Sequence, residues 1–477
     1  MNLKIGLFGI GLEAYWSQFD GLKTRLEGYL SEVESKLNAM SSLLGVESCV
    51  NLGLIDSHDK AFEAGHKFRQ ADVDIIFLYV TTYALSSTVL PVVRRAKVPV
   101  IVLNLQPEAA IDYQFFNNLN DRTRMTGEWL AYCSACPVPE IANVFKRSNI
   151  PFHQITGTLH NDPEAWNEVK DWIDAAHVAN VMCHNRLGIM GNYYGGMLDI
   201  YSNLTLQCAT FGGHIEVIEV DELSDIRKTV LETEILQKRA EFSAVFDIQD
   251  DCSAQELDRA AQTAVALDKL TKKHKLGSLA YFNKGSGNIN ENTISSIILG
   301  TSLLTAKNIP VAGEYEIKNA QAMKILDSFG VGGSFTEYYA MDFEANVVLM
   351  GHDGPGHIAI AEGKTKVKPL QVYHGKVGSG LSVEMSVRIG AVTLLSVIET
   401  YDGKIQLLVA EGESVAGTIL EIGNTNSRYK FPIGARRFVN DWNSHGPAHH
   451  CAVGVGHIAN KIKKLGLLLG VEVLVVC

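Results

Sequence analysis

The chain has 477 residues, 46% of them hydrophobic and 20% charged, with a formal net charge of −11 at pH 7. This composition is typical of a globular protein rather than a disordered one, and the length predicts about three domains of ~150 residues each. The acidic balance and the absence of a long basic run argue against nucleic acid or an anionic membrane surface as a partner.

Neither a secretory signal nor a membrane span is recognisable in the sequence. Gly9, Gly11 and Glu13 interrupt the apolar start of the chain, and no run of ~18 apolar residues follows. The eight cysteines are scattered over a long chain, unlike those of a secreted disulfide framework. We therefore expect a reduced, cytoplasmic protein.

Predicted strands and helices alternate through the first two-thirds of the chain. Continuous runs of Val, Ile and Leu separated by helical periodicity indicate parallel sheets covered on both faces. In residues 1–180 the candidates are the helix Leu22–Leu44 and the strands Lys4–Ile10, Val50–Ile55, Val73–Val80 and Val98–Leu105. In residues 181–330 they are the helix Ala254–Lys273 and the strands Asn185–Met190, His214–Val220 and Ser278–Phe282. The pattern predicts two successive α/β domains with these bounds.

The last part of the chain, residues 331–477, has a different pattern. Short strand candidates with turn residues between them indicate an antiparallel barrel or sandwich. The candidates are Val347–Met350, Ile358–Ala361, Leu370–His374, Leu381–Ile389, Ala391–Glu399, Lys404–Ala410 and Val415–Glu421, then a helix at Val455–Leu467 and a strand at Val471–Val476.

The first strand ends in a glycine-rich turn, Gly9–Ala14, with the Gly-x-Gly-x-x-Ala spacing of a dinucleotide-binding loop. The acidic residue that such a site needs, ~20 residues further on at the end of the second strand, is here Asp56, about twice as far along. Glu13 would also place a negative charge beside the phosphates. We favour an ordinary tight turn, and a nicotinamide-dependent oxidoreductase remains a rival function.

Cys133 and Cys136 have the Cys-x-x-Cys spacing of redox motifs. They do not open a thioredoxin-like first helix, and the sequence has no second pair to complete a zinc site. We interpret them as buried structural thiols.

Four residues in the second half of the chain carry the functional hypothesis. Glu314 follows Gly313 directly and Glu337 comes four residues after Gly333, each in a segment predicted to be a loop. His352 and His450 stand close to Gly or Pro further along. Each alone is more often a cap, a loop residue or a hydrogen-bonded core residue. Together, at the ends of apolar segments, their side chains could converge at the mouth of one pocket. Two oxygens and two nitrogens with open positions suit manganese, cobalt or magnesium better than a structural zinc site.

The chemistry that such a site permits is isomerisation of a sugar. A metal that bridges neighbouring carbonyl and hydroxyl oxygens acts as a Lewis acid and template. One carboxylate removes the proton alpha to the carbonyl and a second carboxyl returns a proton to the neighbouring carbon, each contributing ~10²–10⁴-fold. The two glutamates need different environments, since one must be protonated while the other is ionised.

Several motifs around these residues resemble those of L-arabinose isomerase and, more distantly, L-fucose isomerase. Gly313–Lys318 resembles the family's Gly-Glu-x-x-x-Lys segment, and Gly332–Tyr339 resembles its Gly-x-Ser-Phe-x-Glu-x-Tyr segment. His352 resembles the histidine on the strand that follows, and Pro447–His450 resembles the family's Gly-Ala-His-His. The resemblance is specific over about residues 310–455 and weaker, though collinear, before them.

The resemblance implies an α/β enzyme of three domains: a Rossmann-like N-terminal domain, a central α/β domain and a C-terminal domain that contains an antiparallel β-barrel. It implies a manganese-dependent aldose–ketose isomerase working through an enediol, with Co²⁺ or Mg²⁺ as other possible ions. The implied metal ligands are Glu314, Glu337, His352 and His450, and both glutamates double as catalytic acid and base. It also implies a homo-oligomer, a hexamer in the family, in which N-terminal residues of one subunit complete a neighbour's pocket.

The sugar-facing segments depart from the family pattern, which leaves the identity of the sugar open. The family's Gly-Ser-Gln-His-Leu-Tyr-Gly is replaced by Gly9–Tyr15, and its Leu-Asn-Gln-x-x-His is replaced by Leu119–Arg124. Collinearity still indicates a set of sugar-binding candidates. They are Tyr15, Asp121, Arg124, Tyr194, Val377 and His449.

Two choices of ligand and further alternatives for the function stay open. His357 could replace His352, and His449 could replace His450. Because adjacent residues of an extended segment point opposite ways, only one of the last pair should bind. The alternative function is a non-catalytic sugar-binding protein on the same scaffold, or an isomerase for a sugar other than L-arabinose.

Overall fold

The computed structural model describes residues 2–45, 49–284, 287–370 and 379–477. They divide into two compact units, Met1–Asn180 and Val181–Cys477. The division into three domains at residues 180 and 330 remains a prediction. Among the described residues, no helix is both long enough and apolar enough to span a bilayer.

A parallel sheet forms the centre of the first unit. Its strands are β1 (Ile5–Ile10), β2 (Val50–Ile55), β3 (Ile75–Tyr79), β4 (Val100–Gln106) and β5 (Phe152–Thr158). The helices are α1 (Leu22–Ser41), α2 (His58–Ala71), α3 (Leu90–Ala96), α4 (Tyr113–Asn118), α5 (Arg122–Tyr132), α6 (Val138–Arg147) and α7 (Pro163–His184). The strand order β2-β1-β3-β4-β5 is that of flavodoxin-like doubly wound sheets. All residues of β1 and β3 are buried, as strands covered on both faces require.

The glycine-rich turn after β1 is not followed directly by an α-helix. A 3₁₀ turn, Glu13–Tyr15, comes next, and α1 begins only at Leu22. The indole of Trp16 covers Gly11, where an added Cβ would lie 2.7 Å from the ring. The helix N-terminus that would bind a pyrophosphate is therefore missing from this described part of the chain.

The Cys-x-x-Cys segment lies between α5 and α6 in the first unit. Cys133 is buried, but Cys136 is exposed. The prediction of two buried thiols is therefore wrong for Cys136, because the chain turns outward just before α6.

The second unit begins with another parallel sheet. The strands of this part of the unit are β6 (Arg186–Gly191), β7 (His214–Ile218), β8 (Asp247–Ile248), β9 (Ser278–Phe282) and β10 (Val311–Ala312), and all but β8 belong to this sheet. The helices are α8 (Leu204–Phe211), α9 (Val220–Lys228), α10 (Glu232–Val245), α11 (Ala254–His274), α12 (Ile289–Ile294), α13 (Ile298–Thr305) and α14 (Ile317–Ser328). The sheet order is β10-β9-β6-β7. A core shared by this sheet, α11 and α13 buries residues such as Leu267, Leu279 and Leu299.

The rest of the second unit is a mostly antiparallel sheet. Its strands and those beside it are β11 (Ser334–Asp342), β12 (Val347–His352), β13 (Lys366–Pro369), β14 (Leu381–Glu384), β15 (Gly390–Glu399), β16 (Ile405–Val415), β17 (Thr425–Lys430), β18 (His450–Val455) and β19 (Glu472–Val475), with helices α15 (Ala435–Ser444) and α16 (Ala459–Leu469). The sheet order is β15-β18-β11-β12-β17-β16-β19, and β15 also pairs with β16. Six strands thus form a continuous ring of pairings, while the barrel itself remains a prediction. Strands β14, β13 and β8 form a small third sheet.

Three strand predictions in this region fail or cannot be followed. The segment predicted as strand Ile358–Ala361 is a 3₁₀ helix over Ile358–Ile360, since an apolar run this short does not define its own conformation. The predicted strand Val415–Glu421 has only its first residue in a strand. Leu370–His374 falls mainly outside the described residues.

Candidate metal centre and active site

Glu314 lies in the tight turn between β10 and α14. Glu314 and Tyr315 both have left-handed backbones, with φ of 54° and 62°. Since this conformation costs a residue other than glycine roughly 1–2 kcal/mol, the surroundings must hold it. The Tyr315 amide donates to the Tyr281 carbonyl at 3.0 Å, and the Tyr315 ring centroid lies 4.8 Å from that of Tyr193. Contacts with β9 and with the loop after β6 therefore fix the position of the Glu314 backbone.

Glu337 lies on strand β11, so the prediction that it occupies a loop is wrong. Its neighbours, including Phe335 and Thr336, are aromatic and β-branched residues that favour strands. In the sheet register Glu337 stands opposite Gly351 of β12 and opposite His450 of β18. His352 is the last residue of β12 and His450 is the first of β18. The register thus brings three predicted ligands to one level of adjacent strands.

The donor atoms of the predicted ligands converge in two overlapping groups. One oxygen or nitrogen atom from each of Glu337, His352 and His450 lies within 4.8 Å of the others, and the same holds for Glu314, His449 and His450. The His450 Nε2 is 3.5 Å from Oε2 of Glu314. His450 belongs to both groups and joins the turn glutamate to the strand residues.

A buried phenylalanine forms the floor of the site. The ring centroid of Phe335 lies 4.4 Å from that of His352 and 4.4 Å from that of His450. A Cβ added at Gly313 would come within 3.3 Å of the same phenylalanine ring. This apolar contact keeps one face of each imidazole out of water, which strengthens electrostatic interactions at the nitrogens.

The buried side of His450 faces a second carboxylate. Its Nδ1 is 3.7 Å from Oε2 of Glu316, whose own side chain is 0% exposed. The Lys318 ammonium lies 3.3 Å from Glu316 and is also buried. Glu316 places a negative charge on this side of the ring, and Lys318 supplies the positive charge that makes a buried carboxylate tolerable.

The donor set could hold a divalent cation. Both ring nitrogens of His450 are buried, and neither has a hydrogen-bond partner among the described residues. Such polar atoms usually have a partner, so their state calls for an explanation. Two ligand atoms bound at ~2.1 Å can be at most ~4.2 Å apart, and groups whose atoms lie within 4.8 Å of one another need only a small adjustment.

His449 faces the same carboxylates from the more exposed side. Its Nε2 lies 3.8 Å from Oε2 of Glu314 and 3.9 Å from Oε2 of Glu337, while its Nδ1 is 2.6 Å from Asp199. Partial burial lowers the pKa of His449, but the nearby Glu314 carboxylate, the hydrogen bond to Asp199 and the negative charges of Asp199 and Glu337 outweigh it and raise the pKa to about 9. His449 therefore carries a positive charge at neutral pH.

Both histidines of the adjacent pair touch Glu314, contrary to the expectation that they point opposite ways. Their ring centroids are only 3.7 Å apart. Strand β18 begins at His450 and His449 precedes it in a bend, so the alternation of a regular strand does not apply. His357, the other alternative, pairs instead with Asp327 at 3.8 Å and belongs to neither group.

A cavity of about 240 Å³ opens beside Glu314 and His352. Its wall includes Tyr281, Phe282, Lys284 and Asp353. Burial raises the pKa of Tyr281, so its hydroxyl stays protonated. The cavity offers apolar rings and polar groups next to Glu314 and His352, a combination that suits a small polar ligand.

Asp353 and Asp199 were missed in the sequence. Asp353 Oδ1 lies 3.4 Å from Nδ1 of His352, and its place between a histidine and a glycine was the available signal. Asp199 had no such signal, because its contact with His449 joins positions 250 residues apart.

The other predicted sugar-binding residues lie in several places. Tyr194 packs 4.8 Å from Phe282 of the cavity wall. Val377 lies outside the described residues. In the first unit, Asp121 caps α5 by accepting the Arg124 amide at 2.7 Å.

Tyr15 and Arg124 lie close to the same phenylalanine of the first unit. The Tyr15 ring is 5.9 Å from that of Phe19. Arg124 lines a cavity of about 430 Å³ together with Phe19 and Arg25. These positions leave their sugar-binding role a prediction.

Comparisons with solved structures return sugar-transport proteins with little similarity. A solute-binding protein from Burkholderia multivorans has 11% identity over 65% of this chain and 97% of its own, with a TM-score of 0.17. A periplasmic sugar-binding protein from Legionella pneumophila has 10% identity over 66% and 100%, with a TM-score of 0.17. GanP, a glucose–galactose-binding protein from Geobacillus stearothermophilus, has 12% identity over 66% and 95%, with a TM-score of 0.16. Scores this low support no structural argument.

The family comparison is informative where the site lies. No curated protein matches the chain. Residues 332–472, however, match the model of the L-arabinose isomerase C-terminal domain. The matched segment contains Glu337, His352, His449 and His450, which the structure gathers around Glu314. This match supports membership of the arabinose isomerase family.

Proposed function

We propose that the protein is a metal-dependent aldose–ketose isomerase that interconverts a sugar aldose and its 2-ketose through an enediol. The observation that carries the proposal is the convergence of two glutamates and two histidines from a turn and three strands. The match of residues 332–472 to the L-arabinose isomerase C-terminal domain supports the reaction class.

Glu314, Glu337, His352 and His450 would hold the metal, with Mn²⁺ as the first candidate and Co²⁺ or Mg²⁺ as alternatives. The buried nitrogens of His450 and the small spread of the donor atoms fit this set. When bound, a divalent cation polarises the carbonyl oxygen and orients the neighbouring hydroxyl of the sugar.

Proton transfer belongs to the two glutamates. One carboxylate takes the proton from the carbon alpha to the carbonyl while the carbonyl oxygen gains a proton, which gives the enediol. The neighbouring carbon then gains a proton as the hydroxyl on the other carbon loses one, which gives the ketose. Glu314 lies in a turn and Glu337 on a strand. Their surroundings therefore differ, so that the two carboxyl groups can hold different protonation states.

The rest of the site would bind and orient the sugar. The cavity beside Glu314 is walled by Phe282 and Asp353, which could contact the ring face and accept hydroxyl hydrogens. We also propose a homo-oligomer in which Tyr15, Asp121 or Arg124 of a neighbouring subunit completes the pocket, as the family resemblance implies. The departures around these residues leave the substrate open among aldopentoses, deoxyhexoses and tetroses.

The test is ketose formation from a panel of these sugars, with manganese and with a chelator. We expect manganese-dependent turnover of at least one sugar, and its loss by ~10²–10⁴-fold in Glu314→Gln and in Glu337→Gln. Glu344→Gln is the matched control, since Glu344 is exposed in the turn after β11 and should leave turnover unchanged. Unchanged turnover in both site variants, with folded protein, would refute the mechanism. Sugar binding without turnover of any panel member would favour the non-catalytic alternative.

A further inference from the structure

Asp199 makes two contacts with His449. It lies in the one-turn 3₁₀ helix Leu198–Ile200, in the loop between β6 and α8. Its Oδ2 accepts the backbone amide of His449 at 3.0 Å and lies 2.6 Å from the ring Nδ1. Because a carboxylate in this contact can only accept, Nδ1 carries the proton. The backbone and the ring of His449 are thus fixed by one carboxylate.

The fixed ring presents its other nitrogen to the two proposed proton-transfer groups. Nε2 of His449 lies 3.8 Å from Oε2 of Glu314 and 3.9 Å from Oε2 of Glu337. The two nearly equal distances place this nitrogen between the two carboxylates. A ring free to rotate about its side-chain bonds would lose this placement.

The loop that carries Asp199 is itself held at several points. The Lys318 ammonium donates to the Asp199 carbonyl at 2.6 Å. Further along the loop, the Asn203 amide and the Gln207 side chain both donate to the carboxylate of Glu399, at 3.0 Å and 2.8 Å. These hydrogen bonds fix the backbone of the loop that carries Asp199. A side chain that orients another residue needs such a fixed backbone.

We propose that Asp199 is a positioning residue of the active site, which holds the His449 imidazole so that its Nε2 faces both glutamates. The inference rests on the proposed function of Glu314 and Glu337. Asp199 acts through His449, so its removal should impair the proton-transfer step more than sugar binding.

The kinetic test compares Asp199→Asn and Asp199→Glu with the wild type. We expect kcat to fall about 10- to 100-fold in Asp199→Asn, with KM changed less than about threefold. Asp199→Glu keeps the carboxylate and should recover part of kcat. Leu198→Ala is the control, because Leu198 is exposed in the same 3₁₀ helix and should leave both constants unchanged. An unchanged kcat, or a raised KM with kcat retained, would overturn the proposal.

A spectroscopic test does not depend on turnover. The short bond between Nδ1 of His449 and Asp199 should give a low-field proton resonance in protein labelled with ¹⁵N-histidine. It should be present in the wild type and in Leu198→Ala, and absent from both Asp199→Asn and His449→Gln. If no sugar is turned over, the proposed function fails while this resonance still decides the inference: its presence supports the positioning role and its absence from the wild type refutes it.

Discussion

Substituting glutamine for Glu316 tests the buried ion pair behind the proposed metal centre. The side chain of Glu316 is 0% exposed and that of Lys318 is 5% exposed, with 3.3 Å between their charged atoms. Removing one partner of a buried pair costs ~3–5 kcal/mol, because the other charge stays buried without compensation. Lys318 keeps its bond to the Asp199 carbonyl, which favours the lower end of that range. We expect Glu316→Gln to lose ~3 kcal/mol, a factor of roughly 10² in the unfolding equilibrium.

The assay is urea-induced unfolding followed by circular dichroism, in the presence of a chelator so that metal binding does not contribute. Glu316→Gln, Lys318→Met and the double variant complete a mutant cycle. The double variant buries neither charge, so it should be less destabilised than the sum of the single variants.

Two results would refute this reasoning. A loss below about 1 kcal/mol in Glu316→Gln would mean that the pair behaves like an exposed one. Additive effects in the cycle would mean that Glu316 and Lys318 do not interact.

Three further predictions follow from other parts of the structure. Gly351→Ala should destabilise the second unit by at least ~1–3 kcal/mol and weaken metal binding, because the added Cβ would lie 1.8 Å from the Thr425 carbonyl oxygen. Urea unfolding measures the loss of stability and metal titration measures the loss of affinity. An unchanged urea midpoint would contradict the clash. Burial lowers the pKa of His160, but its bond to Glu32 outweighs this and raises the pKa, so the stability that His160→Gln removes should be complete below pH ~6.5 and vanish as the pH rises through the folded-state pKa. Urea midpoints of the wild type and His160→Gln at low and high pH test this. A loss of stability in His160→Gln that grows with pH would contradict the prediction. Manganese at ~100 times its dissociation constant should add ~2.7 kcal/mol to stability, seen as a raised melting temperature; an equal rise in His450→Gln would place the metal elsewhere.

The sequence predicted those strands whose apolar runs are continuous. β9 has the predicted bounds, because a strand covered on both faces needs apolar residues throughout. The edge strand β2 also has the predicted bounds, although most of its residues are only half-buried. β5 and β17 were missed, since Phe152–Thr158 and Thr425–Lys430 are mostly polar and their pairing comes from neighbouring strands. Such strands depend on tertiary contacts that one segment does not encode.

The candidate site was predictable where it uses local motifs. Glu314, Glu337, His352 and His450 are predicted from short motifs that contain glycine or proline, and the structure gathers them. The secondary structure around Glu337 was predicted wrongly, because its segment lies beside glycines that favour a loop, whereas Glu337 is on strand β11. Asp199 could not be found, because it is brought to the site by a contact with His449, 250 positions further along the chain.

The pairing of Glu337 with His450 and with Gly351 has a consequence for folding. Side chains alternate along a strand, so a slip of β18 by one residue would carry His450 to the opposite face of the sheet. The proposed cation-binding group could then form only when strands from distant parts of the sequence have paired in the native register. The appearance of metal binding during refolding would therefore indicate that β18 has paired with β11 in the native register. It would distinguish native chains from compact chains in which these strands are paired in the wrong register.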